Sequence, residues 1–163
     1  MSDSGTPPTP IDPEPFTPVP GRARRRSEAL AELSREHHHA LAQAMALKRA
    51  TEESAAGVWQ RFLAFWNDEG DEHFVEEEGV LLPAYARVAD PAHPAVWRVL
   101  LEHVLIRAKV AEIGETPRPP VVELVRLGGW LDTHVRLEER VLFPLIEDAL
   151  PEAALRELAD SLG

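Results

Sequence analysis

Apolar residues recur at intervals of three and four from residue 27 to the end of the chain. That is the period of an amphipathic helix, not the period of two that marks a strand, and β-branched residues are sparse. The pattern predicts four long helices and a short fifth. In the first, Leu30, Leu33, His37, Leu41 and Ala44 share one face; Ser27 and Glu28 suit an N-terminal cap and first turn, and the helix ends near Ala50. The second runs from about Glu52 to Ala86 with Trp59, Phe62, Trp66, His73, Glu77 and Leu81 inward. Asp90-Pro91 breaks the chain and starts the third, whose inner face is Val96, Leu100, His103, Ile106 and Val110; Gly114 and the prolines at 117–120 end it. The fourth carries Leu124, Leu127, Leu131, His134, Glu138 and Leu142 to about Leu150, and Pro151 opens a short C-terminal helix to Leu162. Four long amphipathic segments joined by short breaks make an all-α, antiparallel up-and-down four-helix bundle, assigned to residues 27–163.

Residues 1–26 read differently. The first 20 hold seven of the 15 prolines and little that could pack, which predicts a disordered, partly polyproline arm. Arg22, Arg24, Arg25 and Arg26 follow as a basic cluster, read as a solvated lead-in to the first helix.

Composition removes several function classes. The chain has no cysteine, so disulfides, iron–sulfur clusters and thiolate metal sites are excluded, and any metal must be held by His and carboxylate. A net charge of −11 argues against nucleic acid, whose phosphates call for a basic surface. No apolar run approaches the roughly 18 residues of a membrane span. The N-terminus lacks a charged-then-apolar signal pattern, so the expected location is the cytoplasm.

The chemistry-bearing residues lie on the apolar stripes themselves. Each long helix carries a histidine there, and two helices carry a duplicated motif. His73 opens HFVEEEGVLLP and His134 opens HVRLEERVLFP, both fitting H-x-x-x-E-E-x-V-L-x-P. Glu36-His37 and Glu102-His103 echo each other on the first and third helices. Residues four apart lie one turn apart on one helix face, so His73 with Glu77, and His134 with Glu138, point two donors into one cavity. Four imidazoles and two carboxylates then converge, a donor set suited to iron. Without a cation, burying six ionisable side chains in one core would be costly. Glu76 also shares the His73 face, but the repeat aligns Glu77 with Glu138. Glu78 and Glu139 fall toward the stripe's edge, where they support the site from outside or face solvent. His93, in a D-P-A-H-P stretch, reads as an exposed helix-start residue, and Tyr85 as core or rim packing.

Over about residues 27–150 the E-H, H-F-x-x-E-E-x-x-L-L-P, E-H and H-x-x-x-E-E-x-x-L-F-P segments resemble the haemerythrin-like (HHE cation-binding) family. The resemblance implies that His37, His73, Glu77, His103, His134 and Glu138 ligate two non-haem iron ions, oxo- or hydroxo-bridged. His38 stays open as the alternative to His37 in the His37-His38-His39 run. Oxygen-carrying haemerythrins, which the chain resembles, have a His four beyond the third-helix ligand and an Asp five beyond the fourth-helix His; here those places hold Arg107 and Glu139. One iron is then less saturated by protein. The expected partner is a small diatomic molecule or peroxide: the site binds or senses O2 or NO, or buffers iron. The alternatives are a di-iron oxidoreductase acting on peroxide, O2 or NO, and a structural or iron-storage bundle.

Overall fold

The computed structural model describes residues 26–162, so the readings for residues 1–25 lie outside it. Five helices follow in order: α1 (Glu28–Lys48), α2 (55–86), α3 (Pro94–Ile113), α4 (121–149) and α5 (Glu152–Leu162). There is no strand among the described residues. The four long helices form the predicted bundle, and α5 packs back across α1. No helix among the described residues is long and apolar enough to cross a membrane.

The helix ends follow from their capping chemistry. Ser27 caps α1: its backbone is extended and its side chain accepts from the Leu30 N–H. The second helix starts at Ala55, three residues later than expected. Thr51–Ser54 closes a separate turn instead, in which Ser54 Oγ accepts from the Thr51 N–H at 2.9 Å and the Ser54 N–H donates to the Thr51 carbonyl at 3.0 Å. The third helix starts at Pro94, not at Pro91. Asp90 Oδ1 holds a turn by accepting from the Ala92 N–H. His93, extended because a proline follows it, caps the helix by accepting from the Ala95 N–H. Gly114 ends α3 with φ +54, a conformation costly for any side chain, and its carbonyl accepts from the Trp59 indole at 3.0 Å.

The α2 and α4 helices are not uniform. Three turns widen to π geometry: Trp66–Gly70, Glu77–Leu81 and Glu138–Leu142. In the last two, the carbonyl of the glutamate accepts from a residue five ahead, Leu82 or Phe143. Pro83 and Pro144 follow directly. A proline ring clashes with the carbonyl four residues back and offers it no N–H, and a widened turn relieves both problems. The V-L-x-P half of the duplicated motif thus sets a local backbone opening just where Glu77 and Glu138 leave the helix.

Packing places the site at mid-height. One apolar cluster gathers Ala44, Leu47, Trp59, Phe62, Ile106, Leu124 and Leu127. A second, at the other end, gathers Leu30, Leu33, Leu81, Tyr85, Val99, Leu142 and Ile146. Between them lies a buried band of six polar residues: His37, His73, Glu77, His103, His134 and Glu138. The α1 and α4 backbones approach closely at Gly128, where an added Cβ would sit 2.7 Å from the Ala44 carbonyl oxygen and 2.8 Å from Leu47 Cβ.

Candidate metal centre

The six residues of this band converge from all four long helices: His37 from α1, His73 and Glu77 from α2, His103 from α3, and His134 and Glu138 from α4. They form two donor sets. One is His37, His73, Glu77 and Glu138; the other is Glu77, His103, His134 and Glu138, with the donor atoms of each set within 4.8 Å of one another. The two glutamates belong to both. Glu77 directs Oε1 toward His73 Nε2 at 3.5 Å and Oε2 toward His103 Nε2 at 3.2 Å. Glu138 directs Oε2 toward His37 Nε2 at 3.1 Å and Oε1 toward His134 Nε2 at 3.2 Å. Each carboxylate therefore spans the two sets, one oxygen to each.

These close approaches lack hydrogen-bond direction. Both oxygens of Glu77, both of Glu138, and Nε2 of His103 and His134 are buried without a hydrogen-bond partner. Unpaired buried carboxylate oxygens are among the costliest groups in a protein interior. Four such oxygens and two imidazole nitrogens, aimed at two common centres, fit divalent cations, which would satisfy every orphaned atom at once.

A second layer of carboxylates holds the imidazoles by their outer nitrogens. His37 Nδ1 donates to Glu139 at 2.8 Å, His73 Nδ1 to Glu36 at 2.5 Å, His103 Nδ1 to Glu78 at 2.8 Å, and His134 Nδ1 to Glu102 at 3.1 Å. A carboxylate can only accept, so Nδ1 carries the proton and Nε2 is the atom turned inward. Each outer glutamate is the sequence neighbour of an inner residue, yet it serves the histidine of a different helix. Glu36 on α1 holds His73 on α2; Glu78 on α2 holds His103 on α3; Glu102 on α3 holds His134 on α4; Glu139 on α4 holds His37 on α1. The links close a ring around the bundle. Three of the four glutamates are fixed in turn by guanidinium groups: Glu139 by Arg26 at 2.6 Å, Glu78 by Arg107 at 2.7 Å, and Glu102 by Arg98 at 2.9 Å. Ser34 also donates to Glu139 at 2.7 Å. Two phenylalanines pin imidazole planes, Phe74 stacked on His103 with centroids 3.8 Å apart and Phe143 on His37 at 5.1 Å.

The electrostatics match a site built for cations. Burial by itself would lower the His37 pKa, but the close approach of Glu138 and the hydrogen bond to Glu139 outweigh it and push it up to about 9. At His103 burial is again outweighed, by Glu138 and Glu77, and the pKa rises to about 9. His73 is raised well above its ordinary value, with the Glu77 charge and the Glu36 hydrogen bond overcoming burial. Glu138 is held well below the carboxylate range because His134, His103 and His37 outweigh its burial. With no cation, protons on the imidazoles carry the positive charge that the buried carboxylates demand.

The other residues singled out along the chain fall elsewhere. His38 is exposed and its Nδ1 donates to the Ser34 carbonyl at 2.8 Å. His39 is exposed and pairs with Glu69. The structure thus brings His37, and neither neighbour, to the band. Glu78 and Glu139 are outer supports rather than solvated residues. Arg26 is not a solvated lead-in: besides Glu139 it bonds Glu147 at 3.2 Å and lies over the Phe143 ring. Arg107, at the position where the oxygen carriers have a ligand, turns outward to Asp71 and Glu78. Sequence periodicity misses the supporting roles of Glu36 and Glu102, although the repeated E-H doublet carries their signal.

A small cavity of about 20 Å³ adjoins the band, touching residues of both donor sets. It is lined by His37, His73, His134 and Glu138 together with Phe65, Trp66, Gly70 and Phe74 and with the carboxylates Glu36 and Glu69. That is room for a molecule the size of water or a diatomic gas.

A helical bundle with histidine and glutamate donors from all four helices defines the class as a cation-binding bundle protein. The Hemerythrin HHE cation binding domain model matches residues 28–146, more than half of the chain, and the chain belongs to that family. No curated protein and no solved structure matches the chain.

Proposed function

We propose that this chain is a two-iron protein in which His37, His73, Glu77, His103, His134 and Glu138 are the ligands and a small diatomic molecule or peroxide is the partner. The observation that carries the reading is the pair of hydrogen-bond-free buried carboxylates, each offering one oxygen to each of two imidazole pairs. A single cation would leave one oxygen of each glutamate orphaned. Nitrogen and carboxylate donors without thiolate suit iron. Bound iron supplies a redox-active Lewis acid able to ligate a small molecule.

The protein's own contribution is positional. Glu77 and Glu138 would each offer one oxygen to each donor set and would neutralise part of the charge of bound cations. Glu36, Glu78, Glu102 and Glu139 set the imidazole tautomers and aim Nε2 inward. The cavity beside His37, His73 and His134 would give a diatomic molecule a place next to bound metal while Phe65, Trp66 and Phe74 limit bulk water. Binding or sensing of O2 or NO is the primary reading; turnover of peroxide, O2 or NO needs in addition an electron donor.

The test is anaerobic loading with Fe²⁺, elemental analysis, and optical spectra on adding NO, O2 and peroxide. Two irons per chain and a stable, reversible adduct are expected. Saturation at one iron, or no iron with the fold intact, overturns the reading, and rapid catalytic loss of peroxide moves it to the oxidoreductase alternative.

A further inference from the structure

Helix α3 has an apolar inner face and a second apolar stripe on its outer side. Inward it buries Val96, Val99, His103, Ile106 and Val110. Outward it exposes Trp97 (64%), Leu101 (58%), Val104 (60%) and Leu105 (43%). With the exposed Ala108 and Ala111, the outer positions 97, 101, 104, 108 and 111 are spaced four, three, four and three. That is the seam spacing of a helix that packs lengthwise against another helix. No described helix of the chain occupies this face, and an uncovered aromatic-aliphatic stripe of this kind marks an interaction surface.

We propose that this face pairs antiparallel with the same face of a second copy of the chain, making a twofold dimer through α3. Size complementarity singles out the second copy and the direction. In the antiparallel register centred between residues 102 and 103, Trp97 lies over Ala108 of the second copy and Leu101 over Val104 of the second copy, with the reciprocal pairs generated by the twofold. Every large residue then meets a smaller one. A parallel pairing would set Trp97 against Trp97 and leave the alanines facing a gap.

Charge supports the same occupant. Two copies of net charge −11 repel, so the contact has to fall where acidic groups are absent or neutralised. The seam positions carry no charge. Of the flanking charges, Arg98 and Glu102 neutralise each other at 2.9 Å, and Arg107 is tied to Asp71 and Glu78. In the antiparallel register the stem of Arg98 meets Leu105 of the second copy and that of Arg107 meets Leu100 of the second copy, so no like charges face each other. One helix face is smaller than the about 800 Å² per partner of a standard interface, so the association is expected to be weak.

The experiment is sedimentation of the full iron-loaded chain from about 1 μM to about 100 μM. The expected result is a shift from 18.1 kDa toward twice that mass, strengthened by added salt as the net repulsion is screened. Leu101→Glu should weaken association at least tenfold with iron content and helical circular dichroism unchanged, whereas Val122→Glu, at an exposed valine on α4, should leave it unaltered. Trp97→Ala and Ala108→Trp should each weaken the dimer, and the double variant, which exchanges the large and small residues, should restore it. A wild-type monomer across the range overturns the proposal, as does a dimer indifferent to Leu101→Glu. Failure of the double variant to restore association overturns the antiparallel register. If removal of residues 1–25 is what first permits association, the occupant of the face is the chain's own N-terminal segment and the proposal fails.

Discussion

Replacing Glu102 by Gln tests the outer ring where its effect can be isolated. Glu102 accepts from His134 Nδ1 at 3.1 Å through one oxygen and from Arg98 at 2.9 Å through the other. Gln has the same shape but no charge, and only one of its two terminal atoms accepts. It must give up either the imidazole or the guanidinium, and it no longer places a negative charge beside the His134 ring. Loss of such an outer partner weakens metal binding by roughly 10–100-fold, which is about 1.4–2.7 kcal/mol. The structure adds a constraint: His134 belongs to only one donor set. Titration of metal-free protein with Fe²⁺ under anaerobic conditions, against a competing chelator, should therefore show one weakened ion and one nearly unchanged. Glu36→Gln, acting on His73, should weaken the other ion. Asp132→Asn is the control, since Asp132 on α4 holds Lys48 and Arg136 but no histidine. Equal affinities for wild type and Glu102→Gln, or equal losses at both ions, would refute the ring argument.

Three further outcomes are expected. In the metal-free protein His37 and His103 keep their protons up to about pH 9, above the ordinary 6.5; their contribution to stability is complete below pH 6.5 and is lost as pH rises through about 9. Because cations must displace those protons, binding at pH 7 should release protons, seen as a buffer-dependent heat in calorimetry, and buffer-independent heats would contradict it. Gly128→Ala should lower the melting temperature: the gain of about 0.5–1 kcal/mol in helix propensity is outweighed by overpacking against the Ala44 carbonyl and Leu47, about 1–3 kcal/mol, and a raised melting temperature would show that α1 yields at no cost. Gly70→Ala places a Cβ 3.0 Å from the rings of Phe65 and Trp66, which line the cavity; it should slow NO entry in stopped-flow at unchanged iron content, and an unchanged rate means ligands arrive by another route.

The inner residues were legible because chemistry and periodicity coincide in them. A histidine at a stripe position repeated on four helices, with a glutamate four residues on in two of them, leaves few other meanings. His37 and His38 both lie within reach of the stripe, and only the rotation of α1 about its own axis decides between them. The outer ring was illegible in its connections. Glu36 sits beside His37 in sequence but serves His73, and that choice depends on which helices are neighbours and in which direction the chain turns. The π turns were equally hidden, because nothing in a periodicity count registers one extra residue per turn; the repeated proline six residues after each glutamate was the available sign. Arg26 looked like solvent-facing charge because its partners, Glu139 and Glu147, are more than a hundred residues away.

The ring of outer carboxylates has a symmetry that its description by single bonds conceals. Exchanging α1 with α3 and α2 with α4 maps the Glu36–His73 link onto Glu102–His134, and Glu78–His103 onto Glu139–His37. One hairpin of two helices therefore contains both kinds of half-link: it satisfies one within itself, and offers one glutamate and one imidazole outward. Two identical hairpins related by a twofold axis would close all four links and supply both glutamates that span the donor sets. The single chain is, in this sense, a covalently joined pair, and neither of its halves can complete a cation site alone.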